Sequence, residues 1–293
     1  FVTPWTQKRS EELIGIKYNN AYTIPCYVDN KIFKYQTKDE NLRKKIFILR
    51  PFKDIATYST DIDIKVILEL SRRKIFKDLE FCIYGDGEMF DIITAPVKQF
   101  SNVKINKGFL THKEISEMHK EHGIGLFATR YDSQAISCCE AALSGCVVVS
   151  TKNPGIEQEI FPKYNTLCEQ ENIEEYANVI ERLYNNPKEF KEISESMSKD
   201  ILNLYNYENT IGKELEIFKN ENKNILNLPK KIDETPLLSI IIPSYNVEDY
   251  LDDTIYSLLT TKYSNMLEIL VINDGSKDKT LDIAKKWEEI TTI

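Results

Sequence analysis

The chain has 293 residues, 42% of them hydrophobic and 29% charged, with a formal net charge of -8. That length suits about two domains, and the negative balance excludes a general nucleic-acid binder, which needs a basic footprint. No stretch approaches the ~20 apolar residues of a membrane span, nothing reads as a signal peptide, and there is no initiator Met. The opening "FVTPW" and the closing "WEEITTI" are expected to be cuts in a longer chain.

Charge is uneven along the sequence. Residues 1–60 hold eleven Lys/Arg and six Asp/Glu, a balance of +5, which leaves -13 for residues 61–293. Such a face suits phosphates or peripheral attachment to an anionic membrane surface; a solvated charged face is the commoner outcome and is the reading adopted. The six cysteines (Cys26, Cys82, Cys138, Cys139, Cys146, Cys168) form no C-x-x-C pair and read as reduced core thiols of a cytosolic protein. His112, His119 and His122 lie close together without a nearby Cys, a poor zinc site, and are expected on a polar helix face.

Residues 1–32 read as strand, helix, strand: "FVTPW", "TQKRSEELIGIKY", "AYTIPCYVD". "KIFILR" is an apolar strand, and residues 61–74 carry apolar residues at helical spacing. "LEFCIYG" is a strand, and "EMFDIITAPVKQF" a helix broken near Pro96. "VKINKG" is a strand, "HKEISEMHKEHG" a polar helix and "IGLFAT" a strand. In "YDSQAISCCEAALSGCVVVST" a helix of small residues starts near Tyr131–Ser133, ends at Gly145 and runs into a buried strand. Residues 172–218 are helical and amphipathic. This alternation predicts an α/β fold with a Rossmann-like, doubly wound parallel sheet. Residues 219–236, polar with two prolines, read as a linker. A second, partial α/β unit follows: "LLSIIIPSYN" and "LEILVINDGS" as strands, "VEDYLDDTIYSLLTT" and "KDKTLDIAKKWEEI" as helices.

In an open parallel sheet, ligands bind at the carboxyl ends of the strands. Four such ends are informative: Arg50 with Lys53; Gly85, Asp86 and Gly87; Lys107 to Thr111; and "TRYDSQAIS", which leads into the helix of Glu140. They offer cations for a diphosphate, flexible glycines, an aromatic residue, and a helix N-terminus whose free N–H groups suit phosphate. Glu140, less than two turns into its helix, is placed to accept hydrogen bonds from sugar hydroxyls. "GDGEMF" is a weak match to G-x-G-x-x-G, because Phe90 holds the third glycine position.

On these residues the stretch 33–218 resembles the C-terminal, donor-binding half of a family 4 glycosyltransferase of the GT-B fold. The signature is a carboxylate, seven residues and a Glu, here Asp132 to Glu140, followed by "AALSGCVVVSTKNPG". "YGDGEMF", "VKINKGFLTHKEISEMH" and the linker-like "IPCYVDNKIF" fit its order and spacing. The family usually has Glu where Asp132 stands, glycines where "SQAIS" stands, and a lysine followed by Gly where "TYSTDI" stands. The resemblance implies that Glu140 binds the donor ribose, that Asp132 lies near the transferred sugar, and that Arg50 meets the diphosphate, with Lys53 as a substitute for the lysine. Gly85, Ser133 and Gln134 fall in the donor site, and Phe109 and Leu110 line the base pocket. It implies retention of anomeric configuration, no metal, and residues 1–32 as the tail of an acceptor-binding half.

Residues 237–293 resemble the start of a family 2, GT-A glycosyltransferase through "SIIIPSYNVEDYLDDTIYSLL" and "EILVINDGSKDKT". Pro243, Tyr245, Glu248 and Asp274 fall where that family contacts the nucleotide. Its divalent metal (Mg or Mn) and D-x-D motif are expected only in a complete unit. Each residue also has a plainer role. Glu140 could be a buried carboxylate paired with Arg130 or Lys152. Arg50 could be a salt-bridged strand end, Lys53 a solvated lysine, Phe109 a core residue, and Gly85 and Asp274 turn residues. The function expected is transfer of a sugar from a nucleotide-diphosphate donor to a glycan or lipid-linked acceptor in polysaccharide biosynthesis. Its place is the cytoplasm or the inner face of the membrane. The alternatives are a non-catalytic nucleotide-sugar or glycan-binding module with a decayed site, and a GT-B-like isomerase, against which the attached family 2 start argues.

Overall fold

The structure is a computed structural model that describes residues 1–19, 21–53, 55–155, 161–218, 238–261 and 263–291. The chain divides into two compact units, Phe1–Asn222 and Lys223–Ile293. The linker expected at 219–236 lies outside the described residues.

The first unit opens with helix α1 (Pro4–Ile14). Strands β1 (Lys45–Leu49), β2 (Glu80–Gly85), β3 (Val103–Lys107), β4 (Ile124–Phe127), β5 (Val147–Thr151) and β6 (Leu167–Cys168) then form one sheet in the order β3-β2-β1-β4-β5-β6. Among the described residues its strand pairings are all parallel. Between the strands come α2 (Ile55–Tyr58), α3 (Thr60–Leu70), α4 (Phe90–Thr94), α5 (His112–Glu121) and α6 (Ile136–Leu143), and after them α7 (Ile173–Asn185) and α8 (Pro187–Leu204). The central strands are apolar runs because both faces are covered: β4 and β5 are buried at every position. The helices pack in two groups, α3 with α4 and α7, and α6 with α8. Two layers are what right-handed crossovers produce when the strand order reverses at β1.

Several expectations are corrected. "FVTPW" is not a strand. Thr3 caps α1 through a reciprocal pair with Thr6, and Pro4 takes the first helical position, where its missing N–H costs nothing. "AYTIPCYVD" joins no sheet; its backbone is held by separate segments, with Ile24 N–H donating to Phe1 O and Val28 N–H to Tyr205 O. His119 is not on a polar face. It is 1% exposed, lies against the rings of Phe33 and Phe47 and shares a hydrogen bond with Ser144 Oγ at 3.1 Å. Burial holds its pKa down at about 3, so it is a neutral core residue. The described cysteines are all unpaired as thiols, and four of the six are buried.

The second unit holds β7 (Leu238–Ser244), α9 (Leu251–Leu259), β8 (Leu267–Asn273) and α10 (Thr280–Thr291), with β7 and β8 parallel. The loops at the carboxyl ends of its strands interlock. Asp274 N–H donates to Ser244 O, Lys277 N–H to Asn246 Oδ1 and Lys279 N–H to Glu248 Oε2 at 2.8 Å.

Candidate functional site

The strand order reverses between β1 and β4, so that is where a crevice should open. β1 pairs with β2 from Lys45 to Leu49, whereas its register with β4 covers Ile46↔Ile124 and Phe47↔Gly125. Past that point side chains serve the backbone of β4. Ala128 N–H donates to Asp63 Oδ1 at 2.9 Å, and Phe127 O accepts from Ser150 Oγ at 2.7 Å and from Arg50 Nη2 at 3.4 Å. Arg50 is 6% exposed. Its Nη1 lies 3.4 Å from Ser137 Oγ, and its guanidinium sits 5.0 Å over the Phe127 ring. Both bonds are long, and its Nε has no hydrogen-bond partner among the described residues. The cation is therefore buried at the switch point between β1 and β4 and held by long bonds. Asp63 is wholly buried with Oδ2 unpartnered. Burial pushes its carboxyl well above the usual range, against the opposing pull of the Ala128 N–H and Arg50.

The loop after β4 is built by Asp132. Its Oδ1 accepts from the N–H groups of Gln134 (3.1 Å) and Ala135 (2.6 Å). Ala135 is left-handed, with φ 55°, so α6 starts at Ile136 rather than near Tyr131–Ser133. A Cβ on Gly155 would stand 2.1 Å from Asp132 O, so only glycine lets the segment after β5 lie against this loop. The first internal bond of α6 runs from Cys138 N–H to Ala135 O. The N–H groups of Ile136 and Ser137 precede it and face no such partner.

Glu140 is half-buried, five residues into this eight-residue helix. Its plainer partners are taken: Arg130 pairs with Asp61 and Glu171, and Lys152 with Glu169 and Glu175. Among the described residues the Glu140 carboxylate has no hydrogen-bond or ion-pair partner. Burial pushes its pKa up, and His112 pulls weakly the other way. The helix around it is packed tight by Cys138, Cys139, Ala141 and Ala142, all fully buried.

Other expected residues are more scattered. Gly85 ends β2 beside the backbone of Arg50, where a Cβ would come 2.1 Å from Arg50 O. Lys53 and Ser133 are exposed. Phe109 is 79% exposed, not a core residue, while Leu110 packs partly against the core. Gln134 is buried at 3% exposure, and its side chain is spent on the backbone of Cys26. In the second unit Pro243, Tyr245, Glu248 and Asp274 are all exposed. Asp63 is not among the residues expected from the sequence, although its signal is readable: it falls in line with Val66, Ile67 and Leu70, a carboxylate on the apolar face of its helix.

Residues 55–200 match the family described as glycosyl transferases group 1, and residues 239–293 match glycosyl transferase family 2. Both matches are to glycosyltransferase families. The chain is 42% identical over 55 residues to TuaG of Bacillus subtilis, a teichuronic acid biosynthesis glycosyltransferase by name, covering 19% of this chain and 21% of TuaG. It is 43% identical over 53 residues to the glycosyltransferase GlyA of Streptococcus pneumoniae, covering 18% of this chain and 8% of GlyA. The chain thus spans about a fifth or less of these curated relatives. Among solved structures, TarM superposes with a TM-score of 0.62 at 22% identity, over 74% of this chain and 42% of TarM. The C-terminal domain of LpcC from Francisella tularensis superposes with a TM-score of 0.53 at 17% identity, over 61% of this chain and 98% of that domain. These two likenesses concern the fold, and they match the parallel sheet of the group 1 glycosyltransferase segment.

Proposed function

We propose that this chain is part of a sugar-nucleotide-dependent glycosyltransferase in polysaccharide biosynthesis. The donor is a nucleotide-diphosphate sugar and the acceptor a glycan or lipid-linked glycan; the first unit acts as a retaining, family 4-like enzyme. In this reading residues 33–218 bind the donor, residues 1–32 lead from an acceptor-binding half, 219–236 link, and 237–293 begin a family 2 unit. The observation that carries the proposal is a half-buried Glu140 carboxylate without a partner among the described residues, in the middle of α6, the helix whose Ser137 meets Arg50. A carboxylate kept without a protein partner is an acceptor held for a ligand, here the ribose hydroxyls. Arg50 and the N–H groups at the start of α6 stabilise the charge of the departing diphosphate. Asp132 holds the loop with Oδ1 and leaves Oδ2 for the transferred sugar. The neighbour TarM has been solved with UDP and alpha-GlcNAc-glycerol, which supports a nucleotide donor and a glycan acceptor. Association with the inner face of the membrane is part of the proposal. It is proposed as peripheral; among the described residues no helix is long and apolar enough to cross a membrane.

No metal is assigned to the first unit. The divalent metal of a complete family 2 unit does not fit the residues at hand: among those described, no group of three or more His, Cys, Asp or Glu side chains could hold an ion. No step is routed through one.

Calorimetric titration of the whole chain with nucleoside diphosphates and their sugars tests the proposal. Glu140→Gln should bind both more weakly, by about one to two orders of magnitude, as expected for a lost charge-assisted hydrogen bond. Asp132→Asn keeps the Oδ1 acceptor, so it should weaken the sugar nucleotide more than the bare diphosphate. Tight binding unaffected by Glu140→Gln would overturn the ribose role.

A further inference from the structure

The buried side chain of Gln134 joins two segments 108 residues apart. Its Oε1 accepts from Cys26 N–H at 2.7 Å, and its Nε2 donates to Cys26 O at 3.1 Å. A primary amide is the side-chain group that can give and take at one residue's backbone in this way. The geometry imitates one rung of a β-ladder for a segment that joins no sheet. The rest of segment 21–33 is held from elsewhere, by Phe1 and Tyr205 through their carbonyls, by Ser116 Oγ on Ile32 O at 2.9 Å, and by the packing of Phe33 on His112 and His119. Gln134 thus supplies its hydrogen bonds to the loop after β4.

That loop transmits position. Gln134 N–H and Ala135 N–H share Asp132 Oδ1, and Ala135 is the residue from which α6 begins. The segment after β5 packs at Gly155 against Asp132 O, which leaves the loop little freedom to absorb a shift. A displacement of Gln134 is therefore passed to the N–H groups of Ile136 and Ser137, and to Glu140 one turn on.

We infer that Gln134 is a positioning residue that ties the donor loop to the 21–33 segment, so that donor affinity and the placement of that segment depend on each other. The inference rests on the proposed function, in which this segment leads from the acceptor-binding half. By linkage the effect is reciprocal: whatever ordering the segment gives the donor loop, an occupied loop returns to the segment. Sugar binding would then be tuned by the state of the acceptor side through one amide group.

Hydrogen–deuterium exchange of the whole chain reads this out. In wild type, a nucleoside diphosphate that binds should slow exchange in peptides covering residues 21–30, with Cys26 N–H at the centre of the effect. Gln134→Met keeps the volume and loses both hydrogen bonds. It should weaken nucleotide binding about five- to tenfold, the scale of one or two net hydrogen bonds, and abolish the nucleotide-dependent protection. Gln134→Glu keeps an acceptor for Cys26 N–H and should fall between. A purely packing role predicts that Gln134→Met behaves as wild type. Nucleotide binding without a change at 21–30 overturns the inference and leaves the transferase reading standing, and the wild-type comparison decides this even if the variants unfold. No binding of any nucleotide by the folded chain overturns both.

Discussion

At the scale of single residues, the site stands out by what its side chains lack. Glu140 is desolvated without a partner, so its pKa is raised above the ordinary 4.5. A raised carboxyl pKa means that the stability it contributes is present below the unfolded value and is lost as pH rises through the folded one. Above its raised pKa wild type has lost that contribution, whereas Glu140→Gln is neutral throughout. Glu140→Gln should therefore unfold at a higher temperature than wild type on the alkaline side of that raised pKa, with a flatter stability profile above pH 4.5. The same variant should bind nucleotide poorly, and wild-type binding should weaken as pH falls through the raised pKa, above the range where an ordinary carboxylate would protonate. Scanning calorimetry and titration across pH check both halves; a lower Tm for Glu140→Gln would mean that the carboxylate serves the fold. The position of Glu140 was legible in the sequence from its spacing to Asp132 and its tight helix. What Gln134 and Asp63 do was not, because Cys26 and Ala128 lie 108 and 65 residues away and nothing local marks either backbone as needing a partner.

At the scale of elements, the alternation of apolar strands and amphipathic helices was legible because burial on both faces leaves continuous runs such as Val147–Ser150. The misreadings occurred where a local device outweighed composition: the Thr3–Thr6 cap and Pro4 at α1, and the Asp132 turn that delays α6. The start of α3 holds another such device. Ser59 is left-handed, with φ 46°, and its Oγ is fully buried without a hydrogen-bond partner among the described residues. A non-glycine residue in this region costs about 1–2 kcal/mol, and the orphaned hydroxyl adds to that. This is also where the family 4 resemblance looks for glycine in "TYSTDI", so the backbone keeps the shape that glycine would favour although the residue differs. Ser59→Gly is accordingly expected to stabilise the first unit, by about 1 kcal/mol and roughly 2–4 °C in Tm. Thermal unfolding of the whole chain followed at its first transition measures this. A destabilised variant would show that the Ser59 side chain packs more than it strains.

At the scale of the molecule, the two units differ in how their sheets are covered. In the first unit one cluster of buried side chains runs from Val28 to Tyr205 around six strands. In the second, the described fully buried apolar residues are Leu251 and Ile255, and the sheet has two strands. Its registers place Leu238↔Leu267, Ile240↔Ile269 and Ile242↔Val271 on the half-covered face, and Ile241↔Leu270 and Pro243↔Ile272 on the other. That second face stays open, with Ile241 61%, Ile272 54% and Leu270 40% exposed. A parallel pair of strands needs cover on both faces, and two strands alone are marginal in water. The stretch 237–293, produced on its own, is therefore expected to self-associate through this face. Sedimentation velocity should show concentration-dependent mass, and Ile241→Lys with Ile272→Lys should return it toward monomer by placing charge on the apolar surface. The same pair in the whole chain should leave nucleotide binding by the first unit unchanged. A monomeric fragment with a cooperative thermal transition would mean that the two helices and one covered face suffice to fold it.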